Sequence, residues 1–328
     1  MGKKNRREAE VDEEEKTEAK QVELPNGDSH QKKKKKKKDK QGEGLKPKDI
    51  PTVTIALPGS IIDNTQSYEL ATRLAGQIAR AATIFRIDEV VIFDNKSNSE
   101  NNSSYYTNPD NSDENESGAD FLIRILKYLE TPQYLRKALF PMHSVTLKER
   151  APNSSGTLVD VGLNKNFVID QVLNPGTRVT VAMGTDRNLD ADSVRQVVSS
   201  SKPREEANTY WGYRVRYASN ISSVFRECPY KGGYDHLIGT SEHGSVTKSS
   251  DLVIPTFRHL LIAFGGLAGL EECIEEDMNL KVKDASEIFH SYLNTCPHQG
   301  SRTIRTEEAI FISLQYFQEP ISRALEKI

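Results

Sequence analysis

Three stretches in the C-terminal third hold residues suited to gripping a small polar ligand: GTSEHG (Gly239 to Gly244), FGG (Phe264 to Gly266) and NTCPHQGSRTIRT (Asn294 to Thr306). Each follows an apolar run of strand character, and ligands bind at the carboxyl ends of strands in open α/β sheets. The adjacent glycines Gly265 and Gly266 permit a close approach of backbone to ligand. None of the loops reads G-x-x-x-x-G-K-[ST] or G-x-G-x-x-G, so phosphate-cradle hydrolysis and dinucleotide-dependent hydride transfer lose their main support. The last loop carries a misfit. Thr306, Glu307 and Glu308 suit a helix start, with the threonine as cap and the acids near the positive helix end. Arg302 and Arg305 lie just before that end, where cations are disfavoured, and call for a compensating anion such as a ligand, an RNA phosphate or a partner acid. Cys296 sits in the same loop; a thiol there would suit nucleophilic pyrimidine C5 chemistry, but no spacing pairs it with a histidine base.

These loops need a scaffold, and the chain shows one. PTVTIALPGS (Pro51 to Ser60) alternates as a strand and stops at Pro58-Gly59. Leu70, Leu74, Ile78, Ala81 and Phe85 then recur at helical spacing behind Ser67, a suitable N-cap. Ile87 to Asp94 is a continuous apolar run of strand length. Strand, helix and strand in this order form a βαβ unit, which implies an α/β fold on a parallel sheet. FLIRILKYLE and PQYLRKALF continue in helical spacing, broken at Pro132. Short alternating runs with Asn-Lys-Asn and Asn-Pro-Gly turns and no helix fill the region from Ser144, and RQVVSS and YWGYRVRYA extend the pattern. Together they suggest an inserted small β-barrel over 144–209, OB-like and suited to single-stranded nucleic acid, or a β-extension acting as a spacer. The α/β pattern resumes over 210–328, with Ile288 to Leu293 reading as its last strand.

Composition bounds the rest. The 328 residues carry a formal net charge of −3, so any basic surface is a local patch. Residues 1–48 hold almost nothing that packs and include the run Lys32 to Lys38. They read as a disordered tail, suited to solubility or to nuclear import and loose RNA contact. The first α/β part then spans 49–143, with an Asn- and Ser-rich insertion at 95–118. Cys228, Cys273 and Cys296 are widely spaced, which disfavours zinc ribbons and disulfide frameworks and fits a reducing compartment. No run approaches a membrane span, and an intracellular protein is expected.

GSRTIRTEEA resembles the G-x-R-x-L-R-T-E-T-A pattern with which SPOUT-class RNA methyltransferases open their last helix, with Ile304 for leucine and Glu308 for the second threonine. GQIARAATIFRIDEVVIF is similar to the SpoU-type stretch, where Arg80 matches the RNA-contacting or catalytic arginine and Leu74 replaces the asparagine six residues earlier. ALPGSIIDNTQS, YLRKALFP and YWGYRVRYA resemble the archaeal and eukaryotic branch that carries an OB-like insert. The resemblance implies a C-terminal trefoil knot, S-adenosyl-L-methionine held in its loops, and a homodimer that completes the site. Cofactor contacts then fall to Thr240, His243 (where relatives often have arginine), Gly244, Gly265, Gly266, Asn294, Thr295, Gly300 and Thr303. Arg80, Arg302 and Arg305 become the catalytic or RNA-contacting arginines. Asp63 or Glu307 could serve as base, or be no more than a turn residue and a helix-cap charge. The implied reaction is methylation of a ribosomal RNA base, uridine N3 first, in the nucleus or nucleolus, with the cytoplasm as the alternative. Animal relatives are associated with spindle and centromere, so a non-catalytic RNA- or spindle-binding scaffold is the rival reading.

Overall fold

The computed structural model describes residues 50–63, 65–94, 117–139, 157–161, 166–174, 177–183 and 194–327. The expected tail, nearly all of the 95–118 insertion, and most of the two expected insert turns lie outside these residues.

The first βαβ unit forms as its patterning requires. Strand β1 (Thr52–Pro58) leads through a 3-10 turn into helix α1 (Tyr68–Ile84) and strand β2 (Glu89–Phe93). Ser67 caps α1, its hydroxyl accepting from the Leu70 N–H at 3.3 Å, a contact worth about 1 kcal/mol. Leu74, Ile78, Ala81 and Ala82 bury one face of α1. Helices α2 (Gly118–Glu130) and α3 (Gln133–Leu139) follow, and the break between them falls at Pro132.

Six strands make one sheet in the order β10-β8-β9-β1-β2-β7, and every neighbouring pair is parallel. Its other members are β7 (Arg214–Ala218), β8 (His236–Val246), β9 (His259–Ala263) and β10 (Ser291–Asn294). The chain runs from one edge, β7, across to β8, and then lays β9 between β8 and β1. An apolar layer covers each face, as a parallel sheet demands. On one side Ile55, Leu57 and Ile92 pack with residues of α1, α2 and the long last helix α8 (Thr306–Leu325). On the other, Val91, Phe93 and Leu261 pack against α5 (Ile221–Arg226), α6 (Gly269–Glu276) and α7 (Ala285–Ile288). Each fully buried Ile, Leu or Phe contributes about 1.5–3 kcal/mol.

Three local expectations change. YWGYRVRYA does not extend the insert's β-pattern: its Arg214–Ala218 segment is edge strand β7, hydrogen-bonded to β2. The region expected to be helix-free contains α4 (Lys202–Ala207). Ile288 to Leu293 divides between the end of α7 and β10, because Asp284 caps a helical turn by accepting from the Ser286 N–H. Within the described part of the insert, β3 (Thr157–Val159) pairs with β4 (Phe167–Ile169), and β5 (Thr180–Ala182) with β6 (Gln196–Val198), both antiparallel. One bridge, Ile169 to Arg195, links the two pairs; no closed barrel is seen among the described residues.

Candidate functional site

The site lies at the carboxyl ends of β8, β9 and β10. Gly239 pairs with Tyr292, but the next pair is Ser245 with Leu293, so Thr240 to Gly244 bulge out of the ladder. Gly244 is required there: a Cβ would lie 2.3 Å from the Leu293 carbonyl carbon. After β9, Gly265 is equally constrained, since its Cβ would lie 2.2 Å from both the Gly269 carbonyl carbon and the Leu270 nitrogen. Backbone therefore packs directly on backbone in two of the three loops.

Polar side chains tie the loops together. The Thr240 hydroxyl donates to the Ala263 carbonyl at 2.9 Å, joining β8 to β9. Asn294 donates to the Glu242 carbonyl (2.9 Å) and accepts from the Cys296 N–H (3.0 Å). Thr295 shares a hydrogen bond with Ser313 of α8 at 2.8 Å. Thr306, expected to cap α8, does not: Arg305 holds the cap position and its N–H donates to the Glu308 carboxylate at 3.1 Å. The Thr306 hydroxyl instead donates to the Gly265 carbonyl at 2.9 Å, pinning α8 to the β9 loop. The Arg305 misfit also finds a local answer, because its guanidinium lies 4.0 Å from the Glu307 carboxylate.

Two cavities meet here. The first, about 220 Å³, is walled by all three loops and by the Ala309, Ile312 and Ser313 face of α8. Of the expected cofactor residues, Thr240, His243, Gly265, Gly266, Asn294, Thr295 and Thr303 line it, as does Cys296. Gly244 and Gly300 do not; Gly244 spaces the backbone, and a Cβ at Gly300 would meet nothing within 4 Å. Glu271 is the wall residue that spacing did not indicate. Its carboxylate accepts from Ser241 (2.6 Å) and from the Tyr292 hydroxyl. Burial pushes the Glu271 pKa up, but those two donors, together with the Glu271 backbone N–H and the nearby His243, hold the carboxyl below its ordinary range.

The second cavity, about 580 Å³, shares Gly266, Leu267, Thr303, Ile304 and Thr306 with the first. Its remaining wall includes Gln66, Arg73 and Gln77 together with Arg305 and Glu307. Glu307 is buried. Arg73 is exposed and pairs with Glu69 at 2.9 Å. Arg80 is exposed two turns further along α1, roughly 10 Å along the axis, and lines neither cavity. Arg302 is likewise exposed and lines neither, and Asp63 lies outside both walls.

A recess walled by strand-end loops adjoins a larger one that carries cations and a buried acid. Residues 52–145 and 144–317 match the family described as "Putative RNA methyltransferase". The chain belongs to this family of RNA methyltransferases. The 28S rRNA (uridine-N(3))-methyltransferase of Mus musculus is 44% identical over 301 residues, covering 83% of this chain and 77% of the mouse protein. That of Homo sapiens is 44% identical over 303 residues, covering 83% and 79%. Putative methyltransferase spot-1 of Caenorhabditis elegans is 32% identical over 310 residues, covering 81% and 80%. The methyltransferase match includes both cavities and the described part of the insert.

Proposed function

We propose that this RNA methyltransferase transfers a methyl group from S-adenosyl-L-methionine to N3 of a uridine in ribosomal RNA. The observation that carries the reading is the pair of joined cavities, one built from backbone-packed loops and the other charged. The wall of the first suits the polar groups of the cofactor, whose remainder would extend past the shared wall into the second. The first cavity's side-chain donors at Thr240, Asn294 and Thr295 are already bonded within the protein, so the wall offers mainly loop backbone, with Glu271 as a built-in acceptor. Thr240, Gly265, Gly266, Asn294, Thr295 and Thr303 would hold it. S-adenosyl-L-methionine supplies a methyl group already activated on a sulfonium, so the protein need provide no covalent catalyst.

The protein's own task is to place the acceptor and handle one proton. Uracil N3 must lose its proton as it is methylated. Glu307, buried on the wall of the second cavity, is the carboxylate positioned to take that proton; Asp63, outside that wall, is not. Arg305 and Arg73 on the same wall would offset negative charge on the uracil ring. Gln66 and Gln77 offer both donors and acceptors to its two carbonyls and N3. Arg302 and Arg80, exposed outside the cavities, suit contacts with flanking RNA.

The reading extends to finer features. The insertion of β9 between β1 and β8, with α8 pinned back on Gly265, supports a trefoil knot. The two strand pairs of the insert support an OB-like module. A homodimer and a nuclear or nucleolar location belong to the same reading; spindle or centromere association is its part most remote from this geometry. The test is mass spectrometry of nucleosides after incubating the protein, the cofactor and 28S rRNA fragments. We expect 3-methyluridine, reduced at least tenfold in kcat by Glu307→Gln. A 2′-O-methyl or C5-methyl product, or none, would overturn it.

A further inference from the structure

We infer that a second RNA-binding site, for single-stranded nucleotides flanking the acceptor, lies at the opposite end of the sheet, in the cleft between the insert and the amino ends of the strands. The inference rests on the RNA methyltransferase reading for the identity of the polymer. The cleft encloses about 760 Å³. Thr52 at the start of β1 lines it, whereas Pro58 at the other end of β1 lies 3.3 Å from a Cβ placed on Gly266, at the shared wall of the two cavities. The length of one strand, about 20 Å at ~3.3 Å per residue, therefore separates it from the chemistry.

Three features point to nucleotides. The first is an aromatic platform. Trp211 stands on the rim, 54% exposed, and the next two residues explain why it stays there. Gly212 has φ +98, and a Cβ on it would lie 2.6 Å from a Glu130 carboxylate oxygen. Beyond it, Tyr213 is buried and anchored through its hydroxyl to the Leu126 carbonyl at 3.0 Å. An anchored tyrosine and a left-handed glycine thus hold an indole out toward solvent, an arrangement that packing alone does not require. The second is an unmet donor: the Tyr230 hydroxyl, from a ring stacked on His259 at 3.9 Å, is buried on the cleft wall without a hydrogen-bond partner among the described residues. The third is charge. Of the wall's carboxylates, Glu130 is engaged by Arg178 and Asp88 by Arg204. Glu205 is the remaining acid, against exposed Lys127 and Arg214, so cations exceed acids by four to three. Stacking on an aromatic face combined with nearby cations is how proteins hold single strands without reading their sequence.

Trp211 is the chain's single tryptophan, so its fluorescence reports this cleft and nothing else. The full-length protein is titrated with a 12-nucleotide oligouridylate and, separately, with polyglutamate, while anisotropy of labelled RNA follows binding independently. We expect saturable quenching by the oligonucleotide over the concentration range of the anisotropy change, and none by polyglutamate. Trp211→Ala should weaken RNA binding about 5- to 100-fold. Lys127→Glu with Arg214→Glu should lower the slope of log K against log salt by about 1.4. Both variants should raise KM for RNA while kcat and cofactor affinity hold. RNA binding that leaves the fluorescence unchanged would overturn the site, and so would equal quenching by polyglutamate. Calorimetry with S-adenosylmethionine on the same sample separates the failures: normal heat confines the loss to the cleft, while absent heat removes the methyltransferase reading and the cleft proposal with it.

Discussion

The two ends of the sheet are built by different means. At the carboxyl ends of β8, β9 and β10 the loops close on one another through backbone, with Gly244 and Gly265 each placed where a methyl group would strike a main-chain atom at 2.3 and 2.2 Å. At the amino ends the insert is clasped by side chains, with Arg178 reaching Glu130 and Arg204 reaching Asp88. Backbone packing tolerates no substitution and fixes a shape, as a site that must align a reacting methyl group requires. Ion pairs between long, partly exposed side chains are weak and adjustable. That suits a surface for holding a flexible polymer.

The contrast can be broken most sharply at Gly265. Gly265→Ala forces a Cβ into the Gly269 and Leu270 backbone. We expect destabilisation of about 3 kcal/mol or more in denaturant titration, together with loss of cofactor binding. Gly300→Ala, in open space, should change stability by less than about 0.5 kcal/mol. Comparable effects at the two glycines would remove the distinction between backbone-packed and free loop positions.

A smaller effect is expected at Thr306. Thr306→Val deletes the donor to the Gly265 carbonyl while keeping the shape. It should cost about 1–2 kcal/mol and weaken cofactor affinity, which calorimetry would show. A variant with unchanged stability and affinity would mean that α8 is held to the β9 loop by packing alone.

Glu271 provides a pH test of the same region. Its folded-state pKa is depressed, so its stabilising contribution is complete above the ordinary glutamate range and is lost as pH falls through the depressed value. The urea midpoint of Glu271→Gln should therefore lie below that of the wild type at pH 7, and the gap should close in acid. A gap that is constant with pH would contradict the two donors from Ser241 and Tyr292 as its cause.

A small effect is expected at the clasp at the other end. Arg178 and Glu130 are partly exposed, and a double-mutant cycle with alanine at both should give a coupling of about 0.5–1 kcal/mol. A coupling of several kcal/mol would make the insert junction as rigid as the cofactor loops.

Much of this architecture was legible in residue order. The alternation of Val53, Ile55 and Leu57 and the helical spacing after Ser67 marked the first βαβ unit, because burial imposes a period on sequence. The three loops could be found because glycines and small polar residues interrupt apolar runs. What periodicity does not show is which strands become neighbours, so Arg214–Ala218 was read with the insert although it pairs with β2. Nor does it show which turn of a helix a distant loop will meet: Arg73 and Arg80 share one face of α1 two turns apart, and of the two Arg73 lines the second cavity. Thr306 has the residue type of a cap but spends its hydroxyl on Gly265, 41 positions away. Glu271 is an ordinary helix-start acid until Ser241 and Tyr292 are folded against it.

The central claim is that the recess formed by the loops after β8, β9 and β10 holds S-adenosylmethionine, and titration calorimetry tests it most directly. The wild-type protein and Gly266→Trp, which would fill the wall shared by both cavities, are titrated with S-adenosylmethionine and S-adenosylhomocysteine, with circular dichroism confirming that both proteins are folded. Saturable binding by the wild type, abolished in the variant, is the result expected. A folded wild type that releases no heat at millimolar ligand, or a variant that binds undiminished, would contradict the account.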